Sequence, residues 1–332
     1  MTAAQALNPV HKSPDQQVRF QAHCHSQESE VRCRQTADTG SDKQLAETGK
    51  TGTTVTGNIR QLGPWPYQRI PRVSGFFDYI MSFTNSYKEE DSPVPSGYYG
   101  PDPYDINWML PLEEATLESD RVKLTPFIPS LYARGYADQV KAHPDLHHWF
   151  PFDLSTLDAI LTEIETFVRR HPTCILFAII DKARGDAFAG VIGLISTIPM
   201  NLSTEMGWVV VFPEFRRSYV TNNAIGLLLN YCLELPSAPP GRRGLGFRRV
   251  QWAAHSENQP SRAAAKRMGF KEEGVLRWMW VLREGSEGNG VSLRDGDPLS
   301  PKPGRHNILF SFCAEDWESG GREHVQHMIN RQ

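Results

Sequence analysis

From Leu117 onward, apolar and polar positions along the chain follow the periods of regular structure. Arg121–Phe127 alternates polar and apolar residues, the pattern of a half-buried strand. Ser130–His143 and Ser155–His171 read as helices. In the second, Leu157, Ile160, Leu161, Ile164, Phe167 and Val168 recur at helical spacing, Ser155 stands where a cap is needed, and His171-Pro172 stops the run. Cys174–Asp181 and Phe188–Thr197 read as two strands around a turn at Ala183-Arg184-Gly185-Asp186. Glu205–Phe212 is a further strand, rich in β-branched residues. A loop, Pro213–Thr221, then opens a helix whose apolar stripe is Ile225, Leu228, Leu229 and Cys232. After the Pro/Gly/Arg loop Pro236–Gly246 come a strand, Arg249–Ala254, and a short helix, Pro260–Met268, closed by Gly269. Lys271–Leu282 and His306–Cys313 read as a last pair of strands, and Glu315–Gln332 as a short helix with a frayed end. The order β-α-α-β-β-β-α-β-α-β-β predicts an α+β (mixed α/β) fold, a mixed sheet with helices on both faces.

The first 60 residues are different: rich in Gln, Thr, Ser, Gly, Asp and Lys, with too few apolar side chains to offset the entropy of ordering, they are expected to be a disordered tail. Residues 61–116 mix aromatics (Trp65, Tyr67, Phe76, Phe77, Tyr79, Phe83, Trp108) with Pro and Gly, and are expected to be an irregular extension packed on the core. The net charge is −3 and Lys and Arg form no concentrated basic face, which argues against nucleic acid as a partner. The longest apolar runs, such as Ile175–Ile180, are strand-length and far short of a membrane span, so no membrane association is expected. No charged and apolar leader pattern is visible at the N-terminus, and the five cysteines are scattered without CxxC spacing. Both observations point to a reducing, cytoplasmic setting. His23-Cys24-His25 with Cys33 has the residue types of a metal site, but lies where nothing apolar would hold a tetrahedral shell. No metal is expected.

The chemistry concentrates between Thr204 and Trp278. Thr204-Glu205-Met206-Gly207-Trp208-Val209-Val210-Val211 runs directly into Pro213-Glu214-Phe215-Arg216, so a strand leads through an arginine loop to a helix N-terminus. Such a terminus presents unbonded N–H groups and is an anion site, to which Arg216 and Arg217 add charge. Further on stand Arg249-Val250-Gln251-Trp252, His255-Ser256-Glu257-Asn258 and Ser261, and then a helix ending Met268-Gly269-Phe270-Lys271-Glu272-Glu273-Gly274. Together these resemble the GNAT superfamily of acyl-CoA N-acyltransferases, and within it the RimJ/RimL-like branch, over roughly 117–316. The remaining residues, 317–332, are expected to form a C-terminal tail.

The resemblance implies a mostly antiparallel sheet of six or seven strands in which a parallel pair, Glu205–Val211 and Arg249–Ala254, splays to hold acetyl-CoA. Backbone groups of Val209, Val210 and Val211 would pair with the pantetheine arm, Arg216, Arg217, Ser218, Tyr219, Val220 and Thr221 would wrap the pyrophosphate, and Asn258 and Ser261 would meet the arm from the other side. Tyr219 and Thr221 stand where the family pattern has small residues, and Ala265 where many members have a tyrosine proton donor. Ser261 is then the candidate acid, as well as a candidate helix cap. Glu205 and His255 are the candidate bases, direct or through water. Trp252, Trp278 and Trp280 are candidates for the acceptor side, although core packing accounts for two of them. The activity implied is transfer of an acetyl group to a primary amine, on a small molecule or a protein N-terminus, in a monomer or homodimer. The alternative is a GNAT-like module that binds CoA or a partner without turnover. The aromatic extension and the Pro236–Gly246 loop are additions to a minimal core of this kind, and the extension is expected to cover part of the acceptor side and narrow it toward a small molecule.

Overall fold

The computed structural model describes residues 92–331; the expectations for residues 1–60, for the His-Cys cluster and for Trp65 to Phe83 lie outside the described residues. The strands are β1 (Val122–Pro126), β2 (Ile175–Asp181), β3 (Ala187–Ile198), β4 (Ser203–Val211), β5 (Arg249–His255), β6 (Lys271–Val281) and β7 (Gly304–Cys313). The helices are α1 (Pro129–Ala142), α2 (Leu157–Glu163), α3 (Tyr219–Leu233), α4 (Gln259–Arg267), α5 (Ala314–Asp316) and α6 (Arg322–Asn330). All eleven elements of the predicted order are present, within a few residues of their expected bounds. The strands form one seven-stranded sheet in the order β1-β2-β3-β4-β5-β7-β6. Nearly every position of β2 and six consecutive positions of β3 are buried, so both faces are covered in the middle of the sheet.

Two caps differ from the sequence reading. Thr156, not Ser155, closes the first turn of α2, its hydroxyl accepting from the Ala159 amide at 3.1 Å; the Ser155 amide instead donates to Asp153. The helix also widens into a π turn over Ile164–Arg169, so the single helix expected to His171 is two segments. Asn258, not Ser261, caps α4, its Oδ1 accepting from the Ser261 amide at 3.1 Å. Asn outcompetes a serine three residues later because it sits at the last non-helical position, from which its oxygen reaches back over the first turn. At the other end of α4, Gly269 takes φ +99°, the Phe270 amide donates to the Ala265 carbonyl and the Gly269 amide to that of Lys266. This is a Schellman closure, and it returns the chain to the sheet with Phe270 packed on Phe312.

Every neighbouring pair of strands is antiparallel except β4 and β5. These run parallel, joined by the α3 crossover, and pair only at Ser203–Arg249, Thr204–Val250 and Glu205–Gln251. Past that point β4 stays with β3 and β5 stays with β7, so the sheet opens into two halves. A bulge drives β4 away: Val191 pairs with Val210 but Gly193 with Gly207, leaving one extra residue in β4. Trp208 at this bulge has φ +51°, a conformation that bulky residues avoid. Its indole compensates by packing against Phe150, Phe152 and Phe167 and by donating from Nε1 to the Tyr136 hydroxyl at 3.3 Å.

The described part of the extension, from residue 92 on, lies away from the expected acceptor side. Trp108 donates to the Tyr231 hydroxyl, Asn107 to the Arg169 carbonyl, and Met109 to that of Pro172. Described residues 92–112 therefore run past the ends of α2 and α3, and none lines the opening between β4 and β5. The Pro236–Gly246 loop folds back on the end of α3, where the Leu245 amide donates to the Tyr231 carbonyl. At the end of the chain, α6 buries Val325, Met328 and Ile329 and packs on α3 beside Gly226, where an added Cβ would lie 2.6 Å from Ile329.

Gly190 marks the β3 side of the bulge. Its φ is +152°, and a Cβ there would lie 2.1 Å from the Val210 carbonyl oxygen, a backbone atom that cannot move without parting β3 from β4. Gly190→Ala is expected to cost roughly 2–3 kcal/mol and to lower the melting temperature by about 5–10 °C in thermal unfolding. An unchanged melting temperature would show that the bulge tolerates a side chain.

Candidate active site

Three connected cavities occupy the opening between the two halves of the sheet. The largest, about 760 Å³, is lined by Val209–Val211, by the start of α3 from Arg216 to Asn222 and by the start of α4 from Asn258 to Ala264. A throat of about 120 Å³ follows, lined by Glu205, Trp208, Trp252, Ser261, Trp280 and Asn307 among others. An outer cavity of about 520 Å³ lies beyond, between residues 144–150 and residues 282–288. Trp149 and Phe150 line all three, and His255 and Arg305 are shared by the throat and the outer cavity.

The first cavity is built for an anion. Two helix N-termini, those of α3 and α4, converge on it, each with first-turn amides that the helix itself leaves unbonded. Arg216, Arg217, Arg267 and Arg331 line it against one acid, Asp145, which is paired with Arg216 at 3.3 Å. Arg217 takes φ +59° and Ser218 caps α3, its Oγ accepting from the Val220 amide at 3.3 Å. Val220 itself turns into the core and is absent from the cavity wall. Tyr219 is held to one side: its hydroxyl donates to Asp181 at 2.7 Å and Arg121 lies 4.5 Å over its ring. Arg121 and Asn223 also hold the Ile329 carbonyl, which fixes the end of α6 and brings Arg331 to the cavity.

Residues 121–271 match the family described as acetyltransferase (GNAT) domain. The chain carries a GNAT acetyltransferase domain. The GNAT fold binds acetyl-CoA, and members of the family act on small-molecule or protein amines. Among solved structures, a probable acetyltransferase of the GNAT family from Chromobacterium violaceum is similar at 22% identity and a TM-score of 0.51, over 70% of this chain and 100% of that one. A GCN5-related N-acetyltransferase from Brucella melitensis is 24% identical at a TM-score of 0.49, over 64% of this chain and 84% of that one. RimJ from Mycobacterium smegmatis, solved in complex with CoA-disulfide, is 18% identical at 0.46, over 62% and 88%. No curated protein matches the sequence.

The predicted catalytic residues of this GNAT domain meet at the throat. Glu205 and Gln251 form the last rung before β4 and β5 part, and the Gln251 amide donates to the Glu205 carboxylate at 2.9 Å. Burial pushes the Glu205 carboxyl above its ordinary value, with the Gln251 hydrogen bond and the charge of Arg305 opposing. Ser261 Oγ accepts from the Trp252 indole at 3.0 Å, so its own hydroxyl hydrogen remains free to donate. His255 closes the end of β5. Its Nδ1 accepts from the Glu257 amide at 3.1 Å, which assigns the ring proton to Nε2. Burial and the nearby Arg305 push its pKa down, so the ring is neutral at pH 7 and presents a donor. Of the three tryptophans, Trp252 and Trp280 line the throat, whereas Trp278 lies exposed on the edge strand β6.

Sequence reasoning missed Asp145, Trp149, Phe150, Arg267, Arg305, Asn307 and Arg331. They come from connecting segments and from strand and helix ends distant in sequence, and all but Arg267, which stands in the helix before Gly269-Phe270 without an assigned role, lie outside the family motifs. Arg305 and Asn307 share a strand face with Leu309 and Ser311, a mixed face that carries no signal of its own in the sequence. Among the described residues no group of three or more His, Cys, Asp or Glu is arranged to hold a metal ion, and no helix is long and apolar enough to cross a membrane.

The wall formed by residues 144–153 is tied by an ion pair between Asp153 and Arg283 at 3.2 Å. Behind it lies Glu163, whose Oε2 has no partner among the described residues. Burial, and secondarily the charge of Asp153, push Glu163 up to about 8 against the pull of Arg283. The folded protein thus keeps a proton that the unfolded chain gives up near 4.5, so stability falls as pH rises from about 4.5 to about 8. Glu163→Gln is expected to flatten that slope and to gain on the order of 2 kcal/mol at pH 8 relative to wild type. Thermal unfolding at pH 5 and pH 8 checks this, and parallel slopes for the two proteins would contradict it.

Proposed function

We propose that the protein transfers the acetyl group of acetyl-CoA to a primary amine by direct attack in a ternary complex, as a RimJ/RimL-like enzyme whose acceptor is a small molecule or a protein N-terminus. The observation that carries the reading is the continuous path from the arginine-lined cavity, through a throat holding Glu205 and Ser261, to a separate outer cavity. Cofactor and acceptor can then meet from opposite sides. The outer cavity, walled by two loops, supports a small acceptor over an extended peptide.

In this reading Val209, Val210 and Val211 offer backbone groups, freed by the splay, to the pantetheine arm. Asn258 and Ser261 meet it from α4. Arg216, Arg217, Ser218, Tyr219 and Thr221 surround the pyrophosphate with the first turn of α3, and Arg267 and Arg331 add positive charge for the remaining phosphate. Val220 contributes only by anchoring that turn in the core. The phenol of Tyr219, tied to Asp181, leaves the turn accessible although no glycine is present. Arg217→Ala and Arg331→Ala are each expected to raise the KM for acetyl-CoA by roughly tenfold with little change in kcat, since charge-assisted contacts to a remote phosphate bind ground and transition states alike. Steady-state kinetics with thiol detection, alongside calorimetric titration of acetyl-CoA, measures both. A fall in kcat at constant KM would move these arginines out of the phosphate site.

Glu205 takes the proton of the attacking amine, directly or through water. The nitrogen bonds to the thioester carbonyl carbon, the carbon–sulfur bond breaks, and Ser261 donates to the departing thiolate. His255, with its proton on Nε2, orients the acceptor and does not serve as the base. Its raised pKa means that Glu205 loses its basic form on acidification at a higher pH than an ordinary carboxylate. The acid limb of kcat/KM is therefore expected above the usual carboxylate range. Glu205→Gln is expected to remove that limb and lower kcat/KM by about 10²–10³, whereas His255→Gln costs about tenfold or less. Should acetyl-CoA bind while no amine releases free thiol, the non-catalytic module becomes the better reading.

A further inference from the structure

Arg305 is the second residue of β7 and only 6% exposed. Its Nε donates to the Asn307 side chain at 2.8 Å and its Nη1 to the Trp149 carbonyl. Both partners are neutral, and N–H groups on Nη1 and Nη2 remain. Among the described residues no carboxylate stands in ion-pair contact with it, although Glu205 is close enough for each to shift the other. Four other partly buried arginines have acid partners: Arg169 and Arg170 meet Glu165, Arg249 meets Glu273, and Arg322 meets Glu234, whereas Arg121 is satisfied by the Ile329 and Arg331 carbonyls and faces no cavity of the acceptor side. A buried guanidinium without a counter-charge costs several kcal/mol, which a purely structural arginine would avoid by pairing. Burial lowers its pKa to about 10, which still leaves it cationic at neutral pH. It stands in the wall shared by the throat and the outer cavity, on the acceptor side, and does not line the arginine-rich cofactor cavity.

We propose that Arg305 binds a carboxylate of the acceptor, so that the substrates are amino-carboxylic acids whose amine is directed toward Glu205. A planar guanidinium presented from Asn307 and Trp149 suits bidentate capture of a carboxylate. The rings of Trp149 and His255, tilted against each other with centroids 4.8 Å apart, and Phe150 in the same wall supply apolar surface for the rest of the molecule. Farther out, Glu257 and Glu287 line the same cavity, which favours an approaching ammonium and disfavours a second carboxylate. This inference rests on the transferase reading of the same site.

The test uses the wild-type protein with saturating acetyl-CoA, following thiol release with matched acceptors: free amino acids, their carboxamides, and the corresponding decarboxylated amines. Pairs of short peptide amides beginning with Asp or Asn distinguish a side-chain carboxylate from a free α-carboxylate. The expected result is a kcat/KM for the acid about 10²-fold above its carboxamide or amine, the size of leaving a buried charge without its partner. In Arg305→Met that ratio falls to near one while acetyl-CoA affinity is retained, and Arg305→Lys recovers part of it. Carboxamides or simple amines turned over as well as the acids overturn the carboxylate inference and leave the transferase reading intact. Absence of thiol release with every acceptor, with acetyl-CoA bound, overturns both. If Arg305→Met does not fold, the acid-to-amide ratio of the wild type decides alone.

Discussion

The site depends on one constraint: β4 and β5 are held together for three residue pairs and then forced apart. The bulge at Trp208 bends β4 toward β3, while β5 remains paired with β7 to its end at His255. Backbone groups that would have bonded across the gap face a cavity instead, and a buried unpaired N–H or C=O is costly unless something polar meets it. Trp208 sits at the turning point in a backbone conformation that its type avoids, held by four aromatic neighbours. The aromatic cluster thus does more than fill the core. It holds open the gap between β4 and β5.

Charge is distributed around that gap by side. On the cofactor side, two helix N-termini and four arginines face a single acid, and that acid is already occupied by Arg216. Helix dipoles and guanidinium groups act on the same anion there, and the terminal helix α6 takes part by delivering Arg331. On the acceptor side both signs are present, with Arg305 and Arg283 among Asp145, Glu257 and Glu287. The field at the first cavity is therefore one-signed and that at the outer cavity mixed, which favours a polyanion at one mouth and a molecule bearing both charges at the other.

Between them the titratable groups of the throat are tuned by burial. Loss of water pushes Glu205 up and His255 down; Arg305 opposes the first shift, after the Gln251 hydrogen bond, and reinforces the second. The outcome is a carboxyl group of increased basicity beside a neutral imidazole. The same low-dielectric surroundings make Arg305 a strong anion partner.

The sequence by itself determined the order of elements, because hydrophobic periodicity and turn chemistry are local properties. It also picked out the strand, arginine loop and helix start of Glu205–Thr221, which are contiguous and which the fold sets along one cavity, and the Schellman closure at Gly269-Phe270 was legible from the glycine alone. Only the tertiary structure decided the rest. Asn258 displaced Ser261 as cap through a difference of one turn in geometry. Residues 92–112, the described part of the extension, went to the ends of α2 and α3, where Trp108 found Tyr231, a partner 123 residues away. Arg267, Arg305 and Arg331 joined the site from separate elements, and nothing in their local sequence separates them from solvent-facing arginines. Their significance lies in burial without a counter-charge or in convergence on one cavity. These are long-range properties, and they exist only once the chain has folded.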